Sequence, residues 1–498
     1  MNLSDNTHQD HISLLQEIAR RVMIQRGLLP DFSPAALIEA EKLQIPVKTD
    51  NHSSIRDLRD LLWASIDNDD SLDLDQLTVA ESLPDGTVRI RVAVADVDSL
   101  VKNGSAIDEH ASHNTTSVYT AAEIFPMLPL KLSNDLTSLN LNEDRPAIVT
   151  DVVIDQKGAL LESDIYRALV RNHAKLAYNS VAAWLDGKGD EPSAISAVNG
   201  LAENLRIQDR VAQTLRNVRH VRGALSLETI QSKPVFEGDQ ILELQADERN
   251  RAKDIIEDFM IAANGVTARY LESRKIPSIR RVVRIPKRWD RIVDLAQEYG
   301  FRLPNKPDSK SLNEFLLKQK TADPLRFPDL SLTIIKLLGS GEYVAEKPGL
   351  GAPGHFGLAV KDYSHSTAPN RRYPDLITQR LLKAALNGQP TPYTFEELEV
   401  MAEHLTTQED NATKVERQVG KSAAALLLKS KIGQVFDAFV TGAADKGTWV
   451  RLIDIPIEGK LVRGFGGLDV GDRVQVELIS VDVDLGYIDF ARGKKTGG

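Results

Sequence analysis

The spacing of apolar residues changes twice along the 498-residue chain, and this limits the folds that the chain can adopt. Residues 1–58 carry apolar side chains at helical spacing, and residues 59–427 alternate between strand-like and helix-like segments. Residues 428–493 consist of short alternating strands separated by glycines. We therefore predict an α+β multidomain protein with domain boundaries at these residues.

The first region predicts short helices. Apolar residues recur at helical spacing across residues 11–25. Ser33 followed by Pro34 is typical of an N-cap and a first helical position. A third short helix is expected near Ser53. Such a helical module is compatible with a helix-turn-helix that binds nucleic acid, and equally with a structural cap, because fold alone specifies no function.

The second region predicts one mixed α/β domain. Strands are expected at Val88–Ala95 and Ala147–Ile154, and helices at Arg251–Ser273 and Tyr373–Asn387. Nine Lys or Arg lie between residues 269 and 291. They are expected either to form a solvated face or to line one side of a strand.

The third region predicts a small closed barrel. Turn signals separate its strands, which are expected at Gln434–Thr441, Thr448–Ile453, Arg473–Val481 and Tyr487–Ala491. Five short strands in about 60 residues are typical of an OB-fold, which commonly binds single-stranded nucleic acid on one face.

Bulk properties exclude several classes of protein. The net charge of −10 argues against a surface coated in positive charge, although local basic tracks remain compatible with phosphate binding. The chain has no cysteine, which excludes disulfides, thiolate-zinc sites and a cysteine nucleophile. No apolar run approaches the roughly 20 residues that span a membrane, and no secretion signal is evident. We expect a cytoplasmic protein without membrane contact.

Five aspartates fall within nine residues, and they are Asp67, Asp69, Asp70, Asp73 and Asp75. So many like charges are unfavourable together unless water or a cation neutralises them. Oxygen-rich clusters suit hard cations such as magnesium or manganese rather than zinc.

Three interpretations of this acidic stretch compete. An EF-hand loop counted from Asp67 fails at its sixth position, where glycine is replaced by Leu72. It also fails at its twelfth position, where glutamate is replaced by Thr78. A solvated acidic turn without a role and a catalytic metal cluster that activates water both remain open on composition alone.

The run IDNDDSLDLDQL resembles the signature of the RNase II catalytic (RNB) domain, which is one aspartate, a short gap and then Asp-x-Asp-Asp. Asp67, Asp73 and Asp75 match three of its four aspartates, and the fourth falls on Gln76. Glutamine supplies a neutral carbonyl oxygen, so the resemblance implies a magnesium site, with manganese as an alternative, on these four residues. Either metal affinity is lower than in the family or Asp69 and Asp70 compensate.

Further segments resemble the same family in the same order. They lie at Ser117–Arg145, around Tyr178 in KLAYNSVAAWL, at Ile255–Asn264 and at Tyr363–Leu382. The C-terminal barrel resembles an S1 RNA-binding domain through IGQVFDAFVTG, KGTWVRL and VGDRVQVEL. The N-terminal region does not resemble the paired cold-shock domains common in the family.

The resemblance implies roles for residues outside the acidic stretch. Arg371 would present its guanidinium to the scissile phosphate, as an alternative to an ion pair with Asp375 or a nearby carboxylate. Arg372 would contact RNA or form such a pair.

Other residues would contact the RNA bases and sugars. Tyr119 would pack on the 3′-terminal nucleotides and so influence where digestion stops. Tyr178 would stack on a base near the inner end of the RNA channel. Leu227 falls where the family often has an aromatic residue, and Glu257 would bind the sugar or base near the 3′ end.

The function implied is that of a metal-dependent, processive 3′-to-5′ exoribonuclease acting as a monomer. It would hydrolyse single-stranded RNA to 5′-nucleoside monophosphates, with Asp67, Asp73, Asp75 and Arg371 as the catalytic set. Two alternatives remain. One is an RNA-binding protein whose nuclease domain is weakened or inactive, and the other is a regulator whose N-terminal helices bind a duplex.

Overall fold

The computed structural model describes residues 10–44, 55–229, 232–246, 249–351, 353–444 and 447–493. The helices are α1 (His11–Gln25), α2 (Pro34–Lys42), α3 (Ala106–Asn114), α4 (Tyr178–Leu185), α5 (Ser193–Ser196), α6 (Leu201–Val221), α7 (Arg251–Ser273), α8 (Trp289–Glu298), α9 (Ser309–Ala322), α10 (Phe327–Leu338), α11 (Tyr373–Leu386) and α12 (Phe395–Leu428). The strands are β1 (Ile55–Asp57), β2 (Ala64–Asp67), β3 (Gln76–Ser82), β4 (Val88–Ala95), β5 (Val118–Tyr119), β6 (Ile124–Phe125), β7 (Asp144–Ile154), β8 (Leu160–Arg171), β9 (Ala174–Ala177), β10 (Ser232–Glu237), β11 (Gln240–Ala246), β12 (Ser278–Val282), β13 (Glu342–Glu346), β14 (Val435–Ala444), β15 (Gly447–Leu452), β16 (Glu458–Arg463), β17 (Arg473–Asp482) and β18 (Tyr487–Arg492).

A seven-stranded mixed sheet forms the centre of the middle region, in the order β1-β8-β7-β4-β3-β2-β9. Its two outermost pairs are parallel and its inner pairs are antiparallel. Apolar residues of β4 and β7 share one core with Ile255 and Phe259 of α7 and with Leu376 of α11. The predicted mixed α/β domain is therefore confirmed, and β4 and α7 have the predicted bounds.

Helix α11 begins at a proline and is held at its middle by a buried arginine, which fixes the loop that precedes it. Pro374 occupies its first turn, where a missing backbone N–H costs nothing. Six residues later, in the middle of the helix, the buried Arg380 donates hydrogen bonds to Asp108 at 2.7 Å and to the Tyr393 hydroxyl at 2.8 Å. Arg371 and Arg372 immediately precede this helix, so their backbone position is set by it.

The five C-terminal strands form a closed barrel in the order β14-β15-β16-β18-β17, which confirms the predicted OB-type architecture. Its interior is filled by apolar side chains that include Val450, Leu461, Val476 and Phe490. The barrel is joined to α10 by Arg451, which forms two hydrogen bonds with the Asp329 carboxylate at 2.9 and 2.8 Å. This pair and the preceding helix α12 connect the barrel to the rest of the protein.

The two described N-terminal helices use different cores. Helix α1 buries its apolar stripe against α12 and β11, in an apolar cluster that also includes residues of β5, β6 and the barrel interior. Helix α2, capped by Ser33 as predicted, packs on α3 within the core of the sheet. A helix-turn-helix packs its helices on a shared core, and these two helices do not share one.

The third predicted N-terminal helix is not evident where the chain is described. Ser53 lies outside the described residues. Ile55–Asp57, just after it, is a strand that pairs in parallel with β8. The sheet therefore extends into residues that the sequence assigned to the N-terminal region.

The basic segment does not form a continuous positive face. Arg280 is buried in an ion pair with Glu346. Arg281 pairs with Glu409 at 2.5 Å, and Arg284 pairs with Glu342. Neighbouring residues of a strand point to opposite faces, so the predicted one-sided basic strand is wrong.

Among the described residues, no helix has the length and apolar character needed to cross a membrane.

The barrel offers a test of its packing at Gly459 in β16. A Cβ added there would lie 2.5 Å from the Phe490 ring and 2.6 Å from the Ile488 carbonyl oxygen. Because the backbone cannot yield, we expect Gly459→Ala to destabilise the barrel by about 1–3 kcal/mol. Hydrogen exchange of the barrel amides measures this loss.

Gly466 provides the matched control, since an added Cβ would meet no atom within 4 Å. Equal protection of the barrel amides in Gly459→Ala and Gly466→Ala would contradict the packing.

Candidate active site

The acidic stretch forms a loop between two neighbouring strands of the sheet. Asp67 ends β2 and Gln76 begins β3, so both lie at the same edge. The loop is fixed from beneath by Ser138, whose hydroxyl donates to the Leu72 carbonyl at 2.9 Å and accepts from the Leu74 N–H at 3.0 Å. A loop with these hydrogen bonds can hold several carboxylates in defined positions.

The five aspartates differ in exposure. Asp69 and Asp70 point into solvent, whereas Asp67 and Asp73 are half-buried. Asp75 is only 3% exposed. The loop therefore presents Asp67, Asp73 and Asp75 towards the protein.

Arg371 contacts Asp75 across 296 residues of sequence. Its Nε donates to Asp75 Oδ2 at 3.1 Å, and the backbone N–H of Asn370 donates to Asp75 Oδ1 at 3.1 Å. The Asn370 side chain is itself fixed, because its Oδ1 accepts from the Thr137 hydroxyl at 2.6 Å. Both oxygens of the Asp75 carboxylate are thus satisfied.

Tyr119 joins the same group of side chains. Its hydroxyl donates to Asp73 Oδ2 at 3.2 Å, and its backbone N–H donates to Glu416 Oε1 at 2.9 Å. The chain just before it runs beside Arg371, since the Ser117 N–H donates to the Arg371 carbonyl at 2.9 Å. The loop bearing Arg371 and the strand bearing Tyr119 are therefore one connected unit.

Burial makes two of the carboxyls unusually basic. It is the largest cause that raises the pKa of Asp67 to about 7 and that of Asp75 to about 7. The nearby Asp73 carboxylate raises both pKa values further, and the Arg371 guanidinium opposes the rise. Without a cation, ionisation of Asp67 and Asp75 is therefore less favourable than that of a solvated carboxyl.

The chemistry of the donor set fits a hard cation. Asp67 Oδ2 is buried and accepts no hydrogen bond. Its neighbours, Asp73 and Gln76, also offer oxygen atoms, which is the ligand type that magnesium and manganese prefer. Yet in the described part of the chain, no three His, Cys, Asp or Glu side chains are gathered closely enough to enclose a metal ion. The carboxylates are neighbours without forming a closed coordination sphere.

The Gln76 side-chain amide contacts Asp67. Its Nε2 donates to Asp67 Oδ1 at 3.4 Å, so the amide N–H, not the amide oxygen, faces the carboxylate. Turning the amide over exchanges these two atoms at no steric cost. The predicted metal ligand thus acts here as a hydrogen-bond donor.

Several predicted residues are engaged elsewhere. Arg372 pairs with the buried Asp375 at 2.7 Å, the kind of ion pair that was the alternative to contact with RNA. Glu257 pairs with Arg249 at 2.6 Å. Leu227 packs against the apolar cluster of α8, α9 and α10. None of these contacts reaches the acidic loop.

Tyr178 begins α4 and lies within electrostatic reach of Asp67. Burial and the Asp67 charge both raise the pKa of its hydroxyl. The site also includes two groups that the sequence did not reveal, the Asn370 N–H and the Glu416 carboxylate. A backbone donor has no signature in residue types, and Glu416 lies within a long helix with no motif around it.

An acidic loop beside a mixed sheet, facing an arginine and followed by a five-stranded barrel, defines the class of RNB-type α/β proteins with an S1-type barrel. Residues 55–388 match the family model described as the RNB domain, and residues 434–493 match the RNase II-type exonuclease C-terminal S1 domain. The chain belongs to the RNB domain family, and the resemblance that its sequence indicated is confirmed.

Similar proteins include ribonucleases R of several bacteria. The chain is 31% identical over 472 residues to ribonuclease R of Escherichia coli, covering 87% of this chain and 57% of that protein. It is 30% identical over 503 residues to ribonuclease R of Aquifex aeolicus, covering 95% and 70% of the two chains. The chain thus spans little more than half of the E. coli relative.

Solved structures share the fold. RNase R of Mycoplasma genitalium in complex with ribose methylated single-stranded RNA superposes with a TM-score of 0.87 at 23% identity, covering 97% of this chain and 78% of that one. Yeast Ssd1, a pseudonuclease, gives a TM-score of 0.72 at 16% identity, covering 93% and 57%. The fold alone therefore does not specify catalysis.

The raised pKa values predict how cation binding depends on pH. A carboxyl with a pKa of about 7 is mostly protonated at pH 6 and mostly ionised at pH 8, and only the ionised form ligates. We expect Mg²⁺ to bind at least about tenfold more tightly at pH 8 than at pH 6, measured by calorimetry. Asp69→Asn should retain this dependence, and equal affinity at both pH values would contradict it.

Gln76→Asp tests whether the fourth position of the loop faces the cation. An added carboxylate beside Asp67 should lower the melting temperature at pH 8 without metal, because it increases repulsion. It should also tighten Mg²⁺ binding by about tenfold or more, since it adds a charged ligand. A variant with lower metal-free stability but unchanged Mg²⁺ affinity would remove Gln76 from the ligand set.

Proposed function

We propose that this protein is a metal-dependent exoribonuclease that degrades single-stranded RNA from its 3′ end, processively, by hydrolysis to 5′-nucleoside monophosphates. The observation that carries the proposal is the contact of Arg371 with Asp75 inside the acidic loop of an RNB-family chain. Direction, processivity and product follow from the resemblance to the RNase II type.

The residues that would hold the cation are Asp67, Asp73 and Asp75, with Gln76 able to contribute its amide oxygen. Magnesium or manganese bound there would polarise the phosphodiester and favour ionisation of the attacking water. The protein would keep the carboxylates at one edge of the sheet, within a loop fixed by Ser138.

Arg371 would bind the scissile phosphate. Its side chain is 41% exposed, and its Nε donates to Asp75, so the tip of the guanidinium is left to face the substrate. A fixed guanidinium stabilises negative charge as it develops on phosphate oxygens. Asp75 would thus both orient Arg371 and serve the cation, which makes it the carboxylate on which the rate depends most.

Two tyrosines would guide the last nucleotides. Tyr119 is 38% exposed and its hydroxyl is held by Asp73, so its ring is available to pack on the RNA near the reaction centre. Tyr178, beside Asp67, would stack on a neighbouring base. Leu227, Glu257 and Arg372 stay predictions from the resemblance, since their described contacts are with other parts of the protein.

The S1-type barrel would capture RNA before it reaches the loop. OB-folds bind nucleic acid on their second and third strands, which here are β15 and β16. Trp449 and Lys460 oppose each other in register on these strands and offer a ring and a positive charge. A monomer located in the cytoplasm stays a prediction.

A time course on single-stranded RNA labelled at its 5′ end tests the function. With Mg²⁺ we expect full-length RNA to disappear directly into short labelled ends, without intermediates. Asp75→Asn should lower the rate by at least about a hundredfold, because both the ligand and the partner of Arg371 are weakened.

Asp69→Asn, which changes an exposed aspartate of the same loop, is the matched control and should retain activity. Persistence of the RNA with the wild-type protein and Mg²⁺, together with tight RNA binding, would instead favour an RNA-binding protein without nuclease activity.

A further inference from the structure

Helix α1 lies against the hairpin that carries Tyr119. Its buried residues, among them Ile18 and Val22, share one core with Val118 of β5 and Phe125 of β6. The same face of α1 packs on α12, which supplies Glu416 to the Tyr119 N–H. The N-terminal helix, the long helix and the hairpin therefore share one apolar core.

One polar side chain of α1 reaches the hairpin directly. Arg20 Nη1 donates to Glu123 Oε1 at 3.1 Å, and the guanidinium carbon lies 5.9 Å from the centre of the Phe125 ring. A second contact from Arg20 to Asp31 anchors the guanidinium from the side of the N-terminal region. Arg20 thus connects the C-terminal half of α1 to the turn of the hairpin.

Hydrogen bonds in that turn link the position of Glu123 to that of Tyr119. The Thr120 N–H donates to the Glu123 carbonyl at 3.1 Å, and the Glu123 N–H donates to the Thr120 hydroxyl at 3.1 Å. Tyr119 pairs with Ile124, the residue next to Glu123. With the turn closed on both sides, a displacement of Glu123 displaces Tyr119, whose hydroxyl meets Asp73 at 3.2 Å.

We propose that Arg20 is a positioning residue for the nuclease site, through which α1 sets the place of Tyr119 and so the length of the final RNA fragment. This inference rests on the proposed function for its RNA consequence, although the placement of Tyr119 does not. The N-terminal helix is then a support of the active site and not a separate duplex-binding module.

The neighbouring Arg21 provides an internal control. It lies on the same helix, is similarly exposed, and pairs with Asp484 of the barrel at 2.9 Å instead of with the hairpin. Removing the Arg21 guanidinium deletes one ion pair from α1, whereas removing that of Arg20 deletes the pairs with both Glu123 and Asp31. A change at Glu123 therefore isolates the contact with the hairpin. Only the loss of Arg20 should change the position of Tyr119.

The experiment uses the full chain labelled with 3-fluorotyrosine, with the Tyr119 resonance assigned through Tyr119→Phe. In ¹⁹F spectra without metal or RNA, we expect Arg20→Gln to shift or broaden the Tyr119 resonance and Arg21→Gln to leave it in place. Glu123→Gln removes the same contact from its other partner and should reproduce the Arg20→Gln spectrum. Arg20→Lys should restore the resonance at least partly.

On 5′-labelled RNA, Arg20→Gln and Glu123→Gln should end at longer fragments than the wild type. The binding of short RNA depends most on its contact with Tyr119, so KM for short RNA should rise. The kcat on long RNA should be retained. An unmoved Tyr119 resonance in both folded variants would overturn the proposal, and so would an equal shift in Arg21→Gln. Because the spectra need no catalysis, they remain decisive even if the chain proves not to be a nuclease.

Discussion

The contact between Asp75 and Arg371 is the interaction on which the candidate site depends. A carboxylate that is 3% exposed is costly to ionise, and here a guanidinium and a backbone N–H offset part of that cost. These two groups offset the effect of burial only in part, since the pKa of Asp75 still rises to about 7. A further positive charge, such as that of a divalent cation, would stabilise the ionised form of Asp75.

Much of the fold keeps these two residues in contact. The sheet and Ser138 fix the acidic loop, and the buried contacts of Arg380 fix α11 behind Arg371. The strand before Tyr119 joins the two sides through the Ser117 N–H and the Arg371 carbonyl. Helix α1 and α12 then hold the Tyr119 hairpin from outside. Elements distant in sequence thus converge on one small group of charges.

Local and periodic patterns in the sequence correctly indicate several elements of the structure. The bounds of α1, β4 and α7 were predicted correctly, since each repeats apolar residues at the spacing of its own structure. The acidic loop was recognised because its charges are adjacent in the chain. The family match then extended these local signals to the whole middle region and the barrel.

Features that arise from tertiary contacts were not predictable in this way. Three of the nine basic residues of the predicted basic segment, Arg280, Arg281 and Arg284, instead form ion pairs with distant carboxylates. The Asn370 N–H donates to Asp75, which lies 295 residues earlier in the chain, and the residue type gives no indication of this contact. Likewise, the packing of α1 on the Tyr119 hairpin is visible only when the helices are in place.

The central claim is that the loop binds a divalent cation on Asp67, Asp73 and Asp75. The most direct measurement is anomalous diffraction from crystals of the protein grown with Mn²⁺ at pH 8. We expect a single strong peak, or a close pair, within bonding distance of carboxylate oxygens from all three aspartates. Crystals that diffract well but show no peak there, with the Asp75 carboxylate still bonded only to Arg371 and Asn370, would contradict the claim.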